Sequence, residues 1–324
     1  MTALDARPAI RATGLRKSYG KQVVLDGIDL EIAEGTVFAL LGPNGAGKTT
    51  TVHILSTLTA ADGGEIQVAG HDVSREPDKV RAVIGLTGQF SAVDALFSGE
   101  ENLQLMADLR HLGKVEGRRR VAEMLERFDL VDAAKKPVST YSGGMKRRLD
   151  LAMTLVGDPR IIFLDEPTAG LDPRSRRVLW DIIRDLVGRG VTIFLTTQYL
   201  DEADRLAHRI AVLDKGRIVA QGTPSELKRL VPGGHIQLAF ADASTLGRAA
   251  HLIEEGAADE EALTLQFASD GGTRSLRALL DRLDAAGIEV DGLAVQTADL
   301  DDVFLSLTGD QESTTDQHQK ASAR

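Results

Sequence analysis

The nine residues GPNGAGKTT, Gly42 to Thr50, constrain this chain more than any other stretch of it. They follow a continuous apolar run, Val37–Leu41, and lead into a helical pattern, TVHILSTL. That is the spacing G-x-x-x-x-G-K-T in the strand-then-helix setting the motif requires. Its glycines let successive backbone N–H groups turn inward around an anion, and the helix start adds partial positive charge. Gly42, Pro43, Asn44, Gly45, Ala46, Gly47, Lys48, Thr49 and Thr50 therefore read as a phosphate cradle. Lys48 is expected to reach the β- and γ-phosphates of a nucleoside triphosphate, and the Thr49 hydroxyl to bind Mg2+. A glycine-rich turn with a chance lysine is the alternative, and the flanking strand and helix count against it.

Short apolar runs alternate with helical patterns from Ile10 to about Leu230, which predicts an α/β domain on a mostly parallel sheet over residues 10–230. Val37–Leu41, Ile161–Leu164 and Thr192–Thr196 are unbroken apolar or β-branched runs, as strands covered on both faces require. Polar and turn residues follow each run at once. Ligands of open α/β sheets sit beyond the carboxyl ends of the strands, so these three deliver their loops to one edge. From about 90 to 155 the pattern turns mostly helical, as in ENLQLMADLRHLG and RRRVAEMLERFDLV, and predicts an inserted helical subdomain. The basic run Arg118-Arg119-Arg120 lies there opposite Val121, Leu125 and Phe128, and reads as a solvated helix face.

LVPGGH, Leu230 to His235, breaks the pattern. A small α+β domain is expected over 235–309. Ile236, Leu238 and Phe240 alternate, as do Leu263, Leu265 and Phe267, giving two half-exposed strands. Leu276, Leu279, Leu280 and Leu283 mark an amphipathic helix, IEVDGLAV a further strand and DLDDVFLSLTG a final helix. This unit holds no cluster of catalytic residue types, so assembly is its expected role. Residues 310–324 are polar and patternless, and are expected to be a disordered tail.

Composition narrows the partners. The 38 basic and 48 acidic side chains leave a formal net charge of −10, which disfavours broad binding to nucleic acid or anionic lipid. No apolar run approaches the ~18 residues that cross a bilayer, and the start, MTALDARPAI, lacks the apolar core of a signal peptide. A cytoplasmic protein is expected, reaching a membrane only through a partner. The absence of cysteine excludes disulfide and thiolate chemistry. His53, His111, His208, His235 and His251 are scattered, with no i, i+4 pair and no carboxylate-plus-histidine cluster at ligand spacing, so no metal beyond Mg2+ is expected.

Two further stretches carry chemistry. IIFLDEP, Ile161 to Pro167, sets two carboxylates at the end of a buried strand. Asp165 is expected to hold Mg2+, and Glu166 to act as general base on the attacking water. Helix capping is the alternative for such a pair, and the nearby phosphate loop counts against it. TYSGGMKRR, Thr140 to Arg148, puts Ser142, Gly143 and Gly144 at the start of the helical run RRLDLAMTLV, which makes a second anion cradle. One P-loop already saturates the phosphates of one ATP. A second cradle makes sense if it serves another subunit's nucleotide.

In this order the motifs resemble the ATP-binding cassette family over about Ile10 to Leu230, with the Ser142 stretch matching the family signature. The resemblance implies a homodimer in which two cassettes sandwich two ATPs, each signature serine and glycine touching the partner's γ-phosphate. It implies that Gln89, in LTGQFS, belongs to the Q-loop, which senses Mg2+ and faces a membrane partner. Asp172, in AGLDP, matches the D-loop, and Tyr19, in KSYGKQ, the aromatic that stacks on adenine. The residues alone favour a strand-edge core position for Tyr19.

Two departures stand out. Tyr141 and Met145 occupy signature positions where leucine and glutamine are commoner, and Gln198, in TTQYLDEAD, stands where the family has its switch histidine. A glutamine amide can donate to a phosphate oxygen and accept from water, so the site is expected to stay hydrolytic with Glu166, Gln198 and Lys48 as its catalytic residues. Gln198, together with YSGGMKRRLDLA, LDEPTAGLDPRSR and LDDVFLSLTG, resembles the daunorubicin/doxorubicin-resistance subfamily. That implies the ATPase subunit of an exporter of a hydrophobic, anthracycline-like drug. It implies a place at the cytoplasmic face of the cell membrane beside a separate transmembrane permease. The alternative is a soluble ATPase of translation or DNA repair. Such proteins usually carry two cassettes or a long coiled-coil insertion, and this chain has neither.

Overall fold

The computed structural model describes residues 8–89, 92–230, 235–253, 256–269, 272–296 and 299–309. Residues 1–7, the Val231–Gly234 part of the Pro/Gly break and the 310–324 tail lie outside these. Two compact units divide between Thr223 and Pro224.

The first unit opens with a feature that a plain α/β alternation does not predict. β1 (Ile10–Tyr19) and β2 (Gln22–Ile32) form an antiparallel hairpin around Gly20 and Lys21, with Tyr19 opposite Gln22. They continue into β4 (Gly63–Val68) and β5 (His71–Asp72) as one four-stranded sheet of order β2-β1-β4-β5. The second sheet holds β3 (Val37–Leu41), β6 (Ile84–Thr87), β7 (Ile161–Asp165), β8 (Thr192–Thr197), β9 (Arg209–Asp214) and β10 (Arg217–Gly222). Its order is β10-β9-β3-β8-β7-β6, parallel except for the β9–β10 pair. Every residue of β3, β7 and β8 is buried, which is why these strands read as unbroken apolar runs. Phe194 on β8 stacks on Phe38 at 5.6 Å and meets Phe163 at 5.7 Å. Truncating one such ring to alanine typically costs ~3–5 kcal/mol.

The helices of this unit are α1 (Lys48–Leu55), α2 (Pro77–Val83), α3 (Gly99–Leu109), α4 (Lys114–Arg127), α5 (Gly143–Leu155), α6 (Pro173–Gly188) and α7 (Leu200–Leu206). α3, α4 and α5 occupy the stretch expected to be helical. Ser98 starts α3 through a reciprocal cap with Glu101. On α4, Arg118 and Arg119 are exposed and Arg119 pairs with Glu116, while Val121 and Leu125 face inward.

The second unit has α8 (Pro224–Lys228), β11 (His235–Ala239), α9 (Ala243–Leu252), β12 (Ala257–Asp259), β13 (Thr264–Ala268), α10 (Thr273–Ala285), β14 (Gly292–Gln296) and α11 (Leu300–Gly309). Its antiparallel sheet, β12-β13-β11-β14, shares a core with α9 and α10 built on Ile236, Leu238, Leu246, Leu265, Leu279 and Leu283. The strand expected in IEVDGLAV begins only at Gly292, because Ile288 is buried in that core ahead of it. α11 packs against α8, with Leu300, Val303 and Leu227 buried.

Candidate active site

Strand register brings the loops together. β3 lies between β8 and β9, and β8 between β3 and β7. Leu41 is level with Thr197, and Asp165 with Thr196. The loop that starts at Gly42, the Asp165–Glu166 pair and Gln198 therefore leave the sheet side by side. One strand further on, Thr87 pairs with Leu164, so Gly88 and Gln89 leave at the same edge.

Between β3 and α1 the chain wraps tightly. The Gly42 N–H donates to the Thr197 carbonyl at 3.3 Å, tying the loop to the residue before Gln198. Gly47 caps α1 at φ 111°, and a Cβ there would lie 2.6 Å from Leu25 Cδ2 and 3.0 Å from the Val24 carbonyl. Only glycine allows β2 to back the loop so closely. Lys48 is buried, and its ammonium donates to the carbonyls of Gly42 at 2.8 Å and Pro43 at 3.1 Å. It also pairs with Glu166 Oε1 at 3.3 Å.

Thr196 organises both acidic residues. Its hydroxyl donates to Asp165 Oδ1 and accepts from the Glu166 N–H at 3.0 Å. Glu166 has a left-handed backbone, φ 47°, a conformation that costs a non-glycine residue ~1–3 kcal/mol and persists where the surroundings dictate it. Here the dictating contacts are its N–H bonds to the Thr196 carbonyl and hydroxyl.

At the start of α5, Ser142 is the N-cap, accepting from the Met145 N–H at 3.3 Å. Ser142 and Gly143 are exposed. A Cβ on Gly144 would run into the Ser175 hydroxyl, so glycine lets α5 and α6 start against each other. Asp172 caps α6, accepting from the N–H groups of Arg174 and Ser175 and from the Ser175 hydroxyl at 2.6 Å. That hydroxyl and those amides hold its carboxyl below the usual range. Tyr141 is buried and its phenol donates to the Ala133 carbonyl at 2.7 Å. The departure from leucine there is an anchoring one, with its phenol turned to Ala133 rather than to solvent.

Residues 25–169 match the ABC transporter family. The daunorubicin resistance ATP-binding protein DrrA3 of Streptomyces coeruleorubidus is 49% identical over 307 residues, 94% of this chain and 97% of that one. The daunorubicin/doxorubicin resistance ATP-binding protein DrrA of Streptomyces peucetius is 46% identical over 306 residues, 93% of this chain and 92% of that one. An ATP-binding cassette solved as a dimer in a post-hydrolysis state, with ADP and phosphate bound, superposes with a TM-score of 0.61 at 25% identity, covering 66% of this chain and 98% of that one. The chain belongs to the ATP-binding cassette family. It groups there with the daunorubicin/doxorubicin-resistance proteins, and it is an ATPase that binds ATP.

Gln89 and Gln198 are exposed, and the ring of Tyr199 next to Gln198 lies 4.8 Å from the Arg176 guanidinium. Tyr19 is 51% exposed, with the Lys17 ammonium 5.3 Å from its ring centre. That overturns the core position which the residues alone favoured. His208 accepts from the Val37 N–H through Nδ1 at 3.1 Å, which fixes the start of β3. Among the described residues no group of three or more His, Asp or Glu could hold a metal, and no helix is long and apolar enough to cross a membrane. Thr49 and Asp165 offer hard oxygen donors, too few to hold a cation without phosphate and water oxygens. That donor set fits Mg2+ arriving with a nucleotide.

Sequence reading missed Glu202 as well as Thr196. Glu202 on α7 is wholly buried. Trp180 Nε1–H on α6 donates to its Oε1 at 3.0 Å, and the Thr197 and Thr168 hydroxyls flank the carboxyl. Its Oε2 and the Thr168 hydroxyl meet no partner at hydrogen-bond geometry among the described residues. Burial pushes this carboxyl above the usual range.

Proposed function

We propose that this cassette is the ATP-hydrolysing subunit of an exporter that drives efflux of a hydrophobic, anthracycline-like drug through a separate membrane-spanning permease. The observation that carries this is the meeting of Lys48, Asp165, Glu166 and Gln198 at one sheet edge in a chain aligned with resistance proteins over nearly all their length.

The loop from Gly42 to Thr50, through N–H groups after Pro43 and through Lys48, binds the triphosphate, and Tyr19 stacks on adenine. Thr49 and Asp165, with Gln89 beside them, would hold Mg2+, which when bound neutralises charge on the phosphates. Lys48 is paired with Glu166. As the phosphates take over the ammonium, the carboxylate is released toward water. Glu166 then accepts a proton from that water while its oxygen bonds to the γ-phosphorus and ADP departs. Gln198 donates to a γ-phosphate oxygen and accepts from the water.

In this reading Ser142, Gly143, Gly144 and Asp172 complete the nucleotide site of a second copy, and the exposure of Ser142, Gly143 and Asp172 supports a homodimer. Leu96 is 86% exposed and Phe97 is also exposed, an apolar pair ahead of α3 onto which the permease docks. The cassette then lies at the cytoplasmic face of the membrane only through that partner. The domain over 235–309 serves assembly. A soluble translation or repair factor is disfavoured by the acidic balance and by the match to resistance proteins over nearly all their length.

The test is co-expression with the neighbouring permease, followed by daunorubicin accumulation in cells. Accumulation should fall, and Glu166→Gln should abolish the fall. Equal accumulation with and without the pair sinks the drug assignment.

A further inference from the structure

Arg147 and Asp150 lie about one turn apart on α5, and none of the roles above uses them. Both side chains are nearly buried, and they pair at 3.3 Å. Burial pushes the Asp150 carboxyl up and the Arg147 guanidinium down, and each partner's charge opposes that shift. A buried ion pair is weak evidence for stability, because apolar replacements of both partners are often as stable. What this pair holds is the better guide to it.

The Arg147 fork reaches three backbone carbonyls. Nη1 donates to Gly88 at 2.9 Å, Nε to Pro167 at 2.8 Å and Nη2 to Asp165 at 3.2 Å. Asp150 Oδ1 accepts from the Ala92 N–H at 3.3 Å. Gly88 immediately precedes Gln89, and Ala92 lies on its other side in the chain. Asp165 and Pro167 flank Glu166. One ion pair thus fastens the chain on both sides of the Q-loop glutamine and on both sides of the candidate base. Several planar N–H donors in a fixed fork suit this task, which a single ammonium cannot match.

We propose that Arg147 and Asp150 are positioning residues that hold Gln89 and Glu166 in hydrolytic register against the signature helix. The inference rests on the roles proposed above for those two residues. α5 starts at Ser142, so the element presented to a second copy also carries the clamp on the chain's own base. Neither contact touches the reacting atoms; the clamp acts through the backbone. A misplacement of ~1 Å at a reacting group costs up to ~100-fold in rate, which sets the size of effect to look for.

The experiment compares the full-length chain, Arg147→Gln/Asp150→Ala and Arg147→Lys by melting temperature, MgATP affinity and turnover at saturating MgATP. Removing both charges together strands neither, so the double variant should melt close to wild type. Its turnover should fall ~10- to 100-fold while MgATP affinity stays within about two-fold. Wild-type turnover in a double variant that melts normally overturns the proposal, as does a loss confined to affinity. If the double variant melts early, Arg147→Lys decides. It keeps the charge against Asp150 but cannot reach Gly88, Asp165 and Pro167 at once, so reduced turnover at unchanged affinity supports the clamp and full turnover overturns it. Glu166→Gln is run alongside. Full turnover there defeats the base role, whereas an inactive Glu166→Gln beside a fully active double variant defeats the clamp alone.

Discussion

Lys48 Nζ stands 3.3 Å from Glu166 Oε1, so the cation of the phosphate loop and the candidate base hold each other. Both are nearly buried, and Thr196 fixes the backbone beneath the carboxylate. In the reaction proposed above, binding phosphate and freeing the base are one exchange of partners.

Glu166→Gln keeps the shape of the side chain and the backbone bonds to Thr196, but an amide cannot take the water's proton. Turnover should fall ~100- to 10,000-fold. MgATP affinity should hold or rise, since Lys48 gives up a neutral amide rather than a carboxylate. Single-turnover hydrolysis and nucleotide binding measure the two effects. Unchanged turnover takes Glu166 out of the base role.

Gln198 cannot titrate. In Gln198→His, activity should remain substantial and acquire a pH step near the histidine value of ~6.5 that wild type lacks. Gln198→Ala should lose ~10-fold or more, at least ~1.4 kcal/mol of barrier. Turnover against pH for the three chains at saturating MgATP is the measurement. An alanine variant that matches wild type would leave Gln198 a mere spacer.

Glu202 should make stability depend on pH in the direction opposite to a surface carboxylate. Burial raises its folded-state pKa above the unfolded value of ~4.3. Between the two values the folded chain keeps a proton that the unfolded chain has released, so stability falls as pH rises through that window. Below ~4.3 the neutral acid contributes fully. Glu202→Gln can still accept from Trp180 and cannot titrate. Its melting temperature by circular dichroism should gain on wild type as pH rises above the ordinary carboxyl range. A gap that stays flat with pH rules the effect out.

Lys48→Ala and Ser142→Ala should each be inactive alone and regain activity when mixed. In the mixed dimer both lesions fall on one composite site and the other is intact. Failure to recover, with mixed dimers confirmed by native mass spectrometry, defeats the shared-site arrangement.

The three central strands could be read from the chain because burial on both faces leaves an unbroken apolar run. The β1–β2 hairpin could not: IRATGLRKSY alternates weakly, and only its pairing shows that one face is covered. The phosphate loop announces itself through spacing alone. Thr196 does not, since a threonine in a strand looks like β-branched filler until register sets it beside Asp165. Glu202 reads as a surface acid in YLDEAD, and its burial depends on Trp180 from a distant helix. Tyr19 shows the reverse error, an aromatic that reads as core and stands exposed.

Trp180 is the chain's one tryptophan. Its indole is gripped by Glu202 through Nε1–H and by the Arg205 guanidinium, 5.6 Å from its ring centre. It rides on the helix that Asp172 caps, and both grips come from the helix that follows Gln198. Any sliding between those helices changes the charge around a single fluorophore, so the unlabelled protein carries its own optical clock for the switch segment, readable by stopped-flow emission on mixing with nucleotide.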